Sequence, residues 1–123
     1  MIDKPKIVRW GAVVLIVIVG VIHVVDAPDC FQEAEYKGWL FYANGAGALA
    51  AAYGLWRRQN WGWYLGLLVA AGSFAGYVAS RTVGLPLIPA EPGAWLEPLG
   101  IASLVVEGGF IALFMSWRFG KSG

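Results

Sequence analysis

Four long apolar stretches alternate with short polar segments along this chain of 123 residues. The stretches predict helices at about residues 7–25, 38–57, 61–80 and 98–117. Each is close to the roughly 20 residues that a helix needs to cross a bilayer. Because little chain lies outside them, the pattern predicts a single transmembrane domain over residues 1–123, an all-α four-helix transmembrane bundle.

The composition excludes an ordinary water-soluble domain. Hydrophobic residues make up 59% of the chain and charged residues 14%, against about 25% charged residues in soluble domains. The net charge of +1 argues against a nucleic-acid partner. Cys30 is the single cysteine, which excludes an intrachain disulfide and any CxxC motif.

The first apolar stretch follows a short basic segment, which is also typical of a signal peptide. No A-x-A cleavage site follows it, so we expect a retained first helix. Residues 27–37 come next and predict an acidic linker, broken by Pro28.

The charges predict an orientation. With four spans, the two termini and the Arg57-Arg58 turn share one side, which holds seven basic residues and Asp3. The opposite side holds six acidic residues against Lys37 and Arg81. Basic residues stay on the cytoplasmic side, so we expect a multi-pass protein of a bacterial-type plasma (inner) membrane with both termini cytoplasmic, N-in and C-in. Tryptophans at or near the predicted span ends agree with an interfacial aromatic belt: Trp10, Trp39, Trp56, Trp61, Trp63, Trp95 and Trp117.

Two further patterns concern the third span and the loop after it. Small residues recur every four positions in two rows, Gly62-Gly66-Ala70 and Gly72-Gly76-Ser80. Such rows favour close helix packing, although glycine is also common in transmembrane helices generally. After this span, the proline-rich segment Arg81–Glu97 predicts an outer loop without regular helix.

Polar side chains fall in the outer half of every predicted span. Glu107 lies near the middle of the last span, where a carboxylate is costly and marks a polar interior, a ligand or a proton path. The inner halves hold almost no comparable side chain. The sequence therefore predicts a polar pocket that opens outward and ends near Glu107, with these candidates: His23, Asp26, Asn44, Ser73, Tyr77, Arg81, Ser103 and Glu107.

Glu107 has two interpretations. It can be a neutral carboxyl that joins helices by hydrogen bonds to neighbours such as Ser73 or Ser103. Alternatively, it ionises to hold an ion, a proton or a small polar ligand. The sequence leaves both open.

Catalytic chemistry has little support in the sequence. His23 and Asp26 could form an orienting pair, with a serine or Cys30 as nucleophile. However, neither G-x-S-x-G nor H-E-x-x-H occurs. One histidine and one cysteine make a metal site weak, even with nearby acidic residues, and two-His haem ligation within one chain is impossible. We expect no catalytic residues, no metal site and no enzyme activity, and the sequence identifies no cofactor.

The segments Ser80-Arg-Thr-Val-Gly-Leu-Pro86 and Trp95-Leu-Glu-Pro-Leu-Gly100, followed by Ser103 and Glu107, carry a resemblance. They resemble small uncharacterised four-span bacterial membrane proteins with S-R-T-x-G-L-P, W-x-E-P-x-G and S-x-x-x-E motifs. The resemblance implies the four-span fold and an ordered outer loop. It implies no activity.

Two functional classes remain. The small size and the missing catalytic motif favour a non-catalytic accessory or scaffold subunit of a larger membrane complex. Its partners would be the lipid bilayer, other membrane subunits or further copies of itself. The alternative is a protein that binds or transports an ion, a proton or a small polar ligand through the outward pocket.

Overall fold

The computed structural model describes residues 4–86, 88–90 and 98–120. They form four α-helices and no β-strand, so the prediction of an all-α chain is confirmed for the described residues. The helices are α1 (Lys4–Glu33), α2 (Glu35–Trp56), α3 (Asn60–Thr82) and α4 (Pro98–Phe119).

Three helices are long and apolar enough to cross a membrane, over Lys6–Glu33, Asn60–Thr82 and Gly100–Phe119. α2 has 22 residues but is less apolar, because glycine, tyrosine and tryptophan make up much of it. By length and composition, the described residues therefore contain three candidate membrane spans.

The predicted linker between the first two helices is helical instead. α1 continues through Pro28 to Glu33, and α2 begins at Glu35. Pro28 lacks the backbone donor that would bond one turn back, but the next turn is intact, since Ala34 N donates to Cys30 O at 3.1 Å. The chain reverses at Ala34, which has an extended backbone. One proline therefore does not end this helix.

The four helices pack as a ring. α1 packs most extensively against α2, and α2–α3, α3–α4 and α4–α1 are also neighbours. α1 and α3 touch across the ring, whereas α2 and α4 make no such contact among the described residues. Glycines allow the closest approach: a Cβ on Gly62 would lie 2.6 Å from Leu55 N and 2.8 Å from Gly54 C. The first small-residue row of α3 therefore packs as predicted.

One end of the bundle has an aromatic core. Phe110 is fully buried, and its ring centroid lies 5.8 Å from that of Trp63. Trp63 stacks on Trp117 with centroids 5.0 Å apart and planes 8° apart. Trp63 is buried between helices, which corrects its place in the predicted belt, whereas Trp117 is half-buried near the end of α4. Four others are exposed as expected: Trp10, Trp39, Trp56 and Trp61. Trp95 lies outside the described residues.

The start of the α3–α4 connection is a tight turn at the other end. Leu85 and Ile88 exchange two backbone hydrogen bonds of 3.0 and 2.9 Å. Gly84 precedes them with φ +87°, a conformation that glycine adopts readily. The Tyr36 hydroxyl donates to the Pro86 carbonyl and so ties this turn to α2. Residues 91–97 of the predicted proline-rich loop lie outside the described residues.

Candidate functional site

A cavity of about 680 Å³ lies at the end of the bundle opposite the aromatic core. The structure places seven of the eight predicted pocket residues on its wall: His23, Asp26, Asn44, Ser73, Tyr77, Arg81 and Ser103. Glu107 is the exception. It is fully buried and lies behind His23 and Ser103.

α1 supplies an acidic wall because it stays helical through Pro28. Residues three, four and seven positions apart share one helix face. Asp26, Asp29, Cys30 and Glu33 have this spacing, and all four line the cavity. Sequence reasoning missed the last three because it treated residues 27–37 as a linker. Continuing the helical spacing past Pro28 would have found them.

His23 and Glu107 meet below the cavity. His23 Nδ1 lies 2.8 Å from the Val19 carbonyl oxygen, which can only accept, so Nδ1 carries a hydrogen. The other ring nitrogen, Nε2, is 3.8 Å from Glu107 Oε2. Ser103 Oγ donates to the same oxygen at 2.6 Å. The carboxyl therefore accepts a hydrogen bond from its own helix and lies near His23 of α1.

His23 Nε2 and Glu107 Oε2 are too far apart for a hydrogen bond. The Ser103 hydroxyl is therefore the hydrogen-bond donor that the described residues give to the Glu107 carboxyl.

Two buried oxygens beside the cavity accept no hydrogen bond from the described residues: Glu107 Oε1 and Asn44 Oδ1. The Asn44 amide nitrogen is satisfied, because it donates to Ser73 Oγ and, at 3.4 Å, to the Val69 carbonyl. Ser73 Oγ in turn donates to Val69 O at 2.7 Å. Buried acceptors without donors are rare in native proteins; both oxygens are inaccessible to solvent, and only Asn44 of the two residues lines the cavity.

Cations and aromatic rings occupy the rim. Lys37 pairs with Glu33, and its Nζ lies 5.6 Å from the centroid of the Phe41 ring. The Arg81 guanidinium lies 3.8 Å from the centroid of the Tyr77 ring, and Arg81 donates to Ser80 Oγ at 2.6 Å. The rim of the cavity therefore combines cationic and anionic side chains with the faces of aromatic rings.

From its place at the end of the third predicted span, Arg81 is expected to pair with Glu97 or Asp26, or to reach toward Glu107. Glu97, one expected partner, lies outside the described residues. Glu107, toward which Arg81 was expected to reach, instead has His23 and Ser103 as its partners in the structure.

The second small-residue row of α3 has a different role from the predicted one. A Cβ on Gly72 or on Gly76 would meet nothing within 4 Å, and both glycines line the cavity. They widen the space between helices rather than close it. Gly72 and Gly76 have the same four-residue spacing as Gly62 and Gly66. The sequence alone therefore could not show that the first row packs against a helix while the second lines the cavity.

The site brings hydrogen-bonding and charged side chains together around one cavity. Among the described residues, no group of three or more His, Cys, Asp or Glu side chains is placed to hold a metal ion. Cys30 lines the cavity and is 2% exposed. Hydrogen-bonding, charged and aromatic groups converge on one space, which is the arrangement of a ligand pocket.

No protein-family model, curated protein or solved structure matches this chain. The resemblance to small four-span bacterial membrane proteins therefore stays a prediction. The function of this chain must therefore be inferred from the chemistry of the cavity.

Proposed function

We propose that this chain is an integral membrane protein that binds a small polar ligand in the cavity at the outer end of a four-span bundle. The observation that carries the proposal is the cavity itself. Its volume of about 680 Å³ lies within the roughly 300–1,000 Å³ of small-molecule sites. Its lining also combines apolar surface with a few convergent polar groups, as such sites do.

The proposal includes α2 as the fourth span. Its 22 residues correspond to about 33 Å of helix, enough for a hydrocarbon core of about 30 Å. No charged residue lies between Lys37 and Arg57. Many large apolar side chains of the bundle are also exposed, such as Leu68 at 71% and Val105 at 67%. Contact with lipid accounts for this surface better than contact with water.

The proposed orientation is N-in and C-in in a bacterial-type plasma membrane. Arg9 Nη1 donates to the Trp56 carbonyl at 3.3 Å, so the start of α1 lies beside the end of α2. Arg57 and Arg58 follow directly, and this basic end is the one expected in the cytoplasm. The cavity then faces outward.

Retention of a bound molecule tests the binding function. Gly76→Leu places a large side chain in the open space that Gly76 leaves in the cavity. Gly108→Leu is the matched control, because a Cβ on Gly108 also meets nothing within 4 Å and Gly108 does not line the cavity. Native mass spectrometry in mild detergent reports any bound small molecule. Shifts in the melting temperature on addition of small amines, organic acids, sugars or polyols report the binding of added compounds.

We expect wild type and Gly108→Leu to bind one class of these compounds and Gly76→Leu to lose that binding. A wild-type protein without any bound or stabilising compound would contradict the proposal. A stoichiometric protein partner recovered in the same purification would instead favour the accessory-subunit role, which stays a prediction.

A further inference from the structure

The side of α2 that faces α3 becomes more exposed toward the cavity. Residues at helical spacing lie on this side: Ala51, Gly47, Asn44 and Leu40. Ala51 is fully buried and Asn44 is half-buried, whereas Leu40 is 59% exposed although it lines the cavity. The space between α2 and α3 therefore grows from their connecting turn toward the cavity end of the bundle.

α3 shows the same change. Gly62 is buried against the α2 backbone, whereas a Cβ on Gly72 or on Gly76 would meet nothing within 4 Å. Gly72 is itself exposed and lines the cavity. Leu68, one turn before it, is 71% exposed. The wall of the cavity therefore continues into the outer surface of α3.

Two contacts bound the opening between Leu40 and Gly76, which we call the window. On one side of it, Asn44 donates to Ser73 Oγ and joins α2 to α3. On the other side, the Tyr36 hydroxyl donates to the Pro86 carbonyl and joins α2 to the α3–α4 turn. Asn44 follows Tyr36 by eight residues, which corresponds to about 12 Å of helix. The window therefore extends over about two helical turns.

The window lies at the depth of lipid chains in the proposed four-span arrangement. Gly72 precedes Thr82, the last residue of α3, by ten residues, which corresponds to about 15 Å of helix. This length is about half of the hydrocarbon core, which is about 30 Å thick. With the proposed orientation, the window therefore faces the acyl chains of the outer leaflet.

The lining of the cavity changes in the same direction. Beside the window it includes Leu40, Gly72 and Gly76, which carry no polar side chain. Toward the end of α1 it carries charged side chains of both signs: Asp26, Asp29, Glu33, Lys37 and Arg81. A molecule with a headgroup of both charges and a hydrocarbon chain complements both parts of this lining.

We propose that the ligand is a phospholipid with a zwitterionic headgroup, which binds with this headgroup in the cavity and with one hydrocarbon chain in the window between α2 and α3. This inference rests on the proposed ligand-binding function and specifies its ligand, because the polar group in the cavity then belongs to a membrane lipid. The lipid enters the site from the outer leaflet through the window.

Photocrosslinking of the full-length protein in phosphatidylcholine nanodiscs tests this ligand. The probe is phosphatidylcholine with a diazirine in one acyl chain, and mass spectrometry locates the labelled residues. We expect label on Asn44 and Ser73, which are half-buried beside the window, and on Leu68, which reports ordinary contact with lipid. A diazirine-bearing alkane lacks the headgroup. Its ratio of Ser73 to Leu68 label should be about tenfold lower, which corresponds to about 1.4 kcal/mol of binding free energy.

Two variants test the route. Gly72→Leu places a large side chain at the window and should lose the label on Ser73 while it keeps the label on Leu68. Gly108→Leu is the matched control and should keep both, because a Cβ there also meets nothing within 4 Å and Gly108 does not line the cavity. Undiminished Ser73 label in Gly72→Leu would overturn entry through the window. The comparison of the two probes uses wild type alone, so it stands even where Gly72→Leu does not fold.

The ligand class can fail separately from the binding function. Equal ratios for phosphatidylcholine and the alkane, or label on Leu68 without label on Ser73, would overturn the phospholipid ligand. Equal labelling of Ser73 by an anionic phosphatidylglycerol probe would overturn the zwitterionic headgroup. If soluble compounds stabilise the protein while the phosphatidylcholine probe spares Ser73, the binding function survives without the lipid. If neither soluble compounds nor the lipid probe binds, the proposed function itself is wrong.

Discussion

At the scale of single residues, the buried carboxyl of Glu107 depends on the groups that contact it. A carboxyl near the middle of a span is tolerated only when other groups satisfy it. Here Ser103 donates from one turn earlier on the same helix, and His23 approaches from α1 with its tautomer set by the Val19 carbonyl. The same contacts that make the carboxyl tolerable also place it beside a cavity, so its structural and functional roles are compatible.

Two substitutions of Glu107 separate these roles. Glu107→Gln keeps the shape and an acceptor for Ser103, so the bundle should fold with a melting temperature near that of wild type. Glu107→Leu leaves the buried Ser103 hydroxyl without its acceptor, which costs roughly 1–3 kcal/mol. Thermal unfolding in detergent measures both. Equal melting temperatures for the two variants would show that the hydrogen bond contributes nothing to stability.

At the scale of helices, α3 changes character along its length. Near its start, Gly62 lies directly against the α2 backbone, and further along Gly72 faces open space. The same residue type therefore closes an interface at one end of the helix and widens a cavity at the other. The α2–α3 turn explains the close contact, because it spans only three residues and keeps the adjoining helix ends together.

Alanine substitutions at these two glycines test the difference. Gly62→Ala should destabilise the bundle by about 1–3 kcal/mol, because the new Cβ meets backbone atoms that cannot rotate away. Gly72→Ala is the control on the same helix and should change stability by no more than about 1 kcal/mol, since alanine favours a helix. Thermal unfolding of both variants is the measurement. A neutral Gly62→Ala would mean that the two helices lie further apart than the structure places them.

At the scale of the whole molecule, the two ends of the ring differ in chemistry. The end with the aromatic core carries Arg9, Arg57, Arg58 and Arg118, while acidic residues gather at the end with the cavity. The side from which the cavity is accessible therefore depends on how the bundle is oriented in the membrane.

Cysteine labelling tests that orientation. Cys30 is buried, so the experiment needs a Cys30→Ala background with new cysteines at Gln59 and Val83, both exposed. An impermeant thiol reagent on intact cells should label position 83 and spare position 59. Permeabilised cells, in which both positions should react, are the control. Labelling of position 59 alone in intact cells would reverse the proposed orientation.

The sequence by itself determined the all-α class, the approximate positions of four helices and the set of polar side chains near one end. These properties follow from apolar run length and from charge placement, which are local and can be read along the chain. It also identified Glu107, because the cost of a carboxyl within a span does not depend on which helices surround it.

Only the tertiary structure decided which groups meet. The ring order brings His23 of α1, rather than Arg81, to Glu107, because contacts between distant helices depend on their rotation and register. The extent of α1 was decided in the same way. Packing against α2 compensates for the hydrogen bond that Pro28 removes, and the continued helix places two further acidic residues, Asp29 and Glu33, on the cavity wall. A local rule that places a helix end at proline cannot include that compensation.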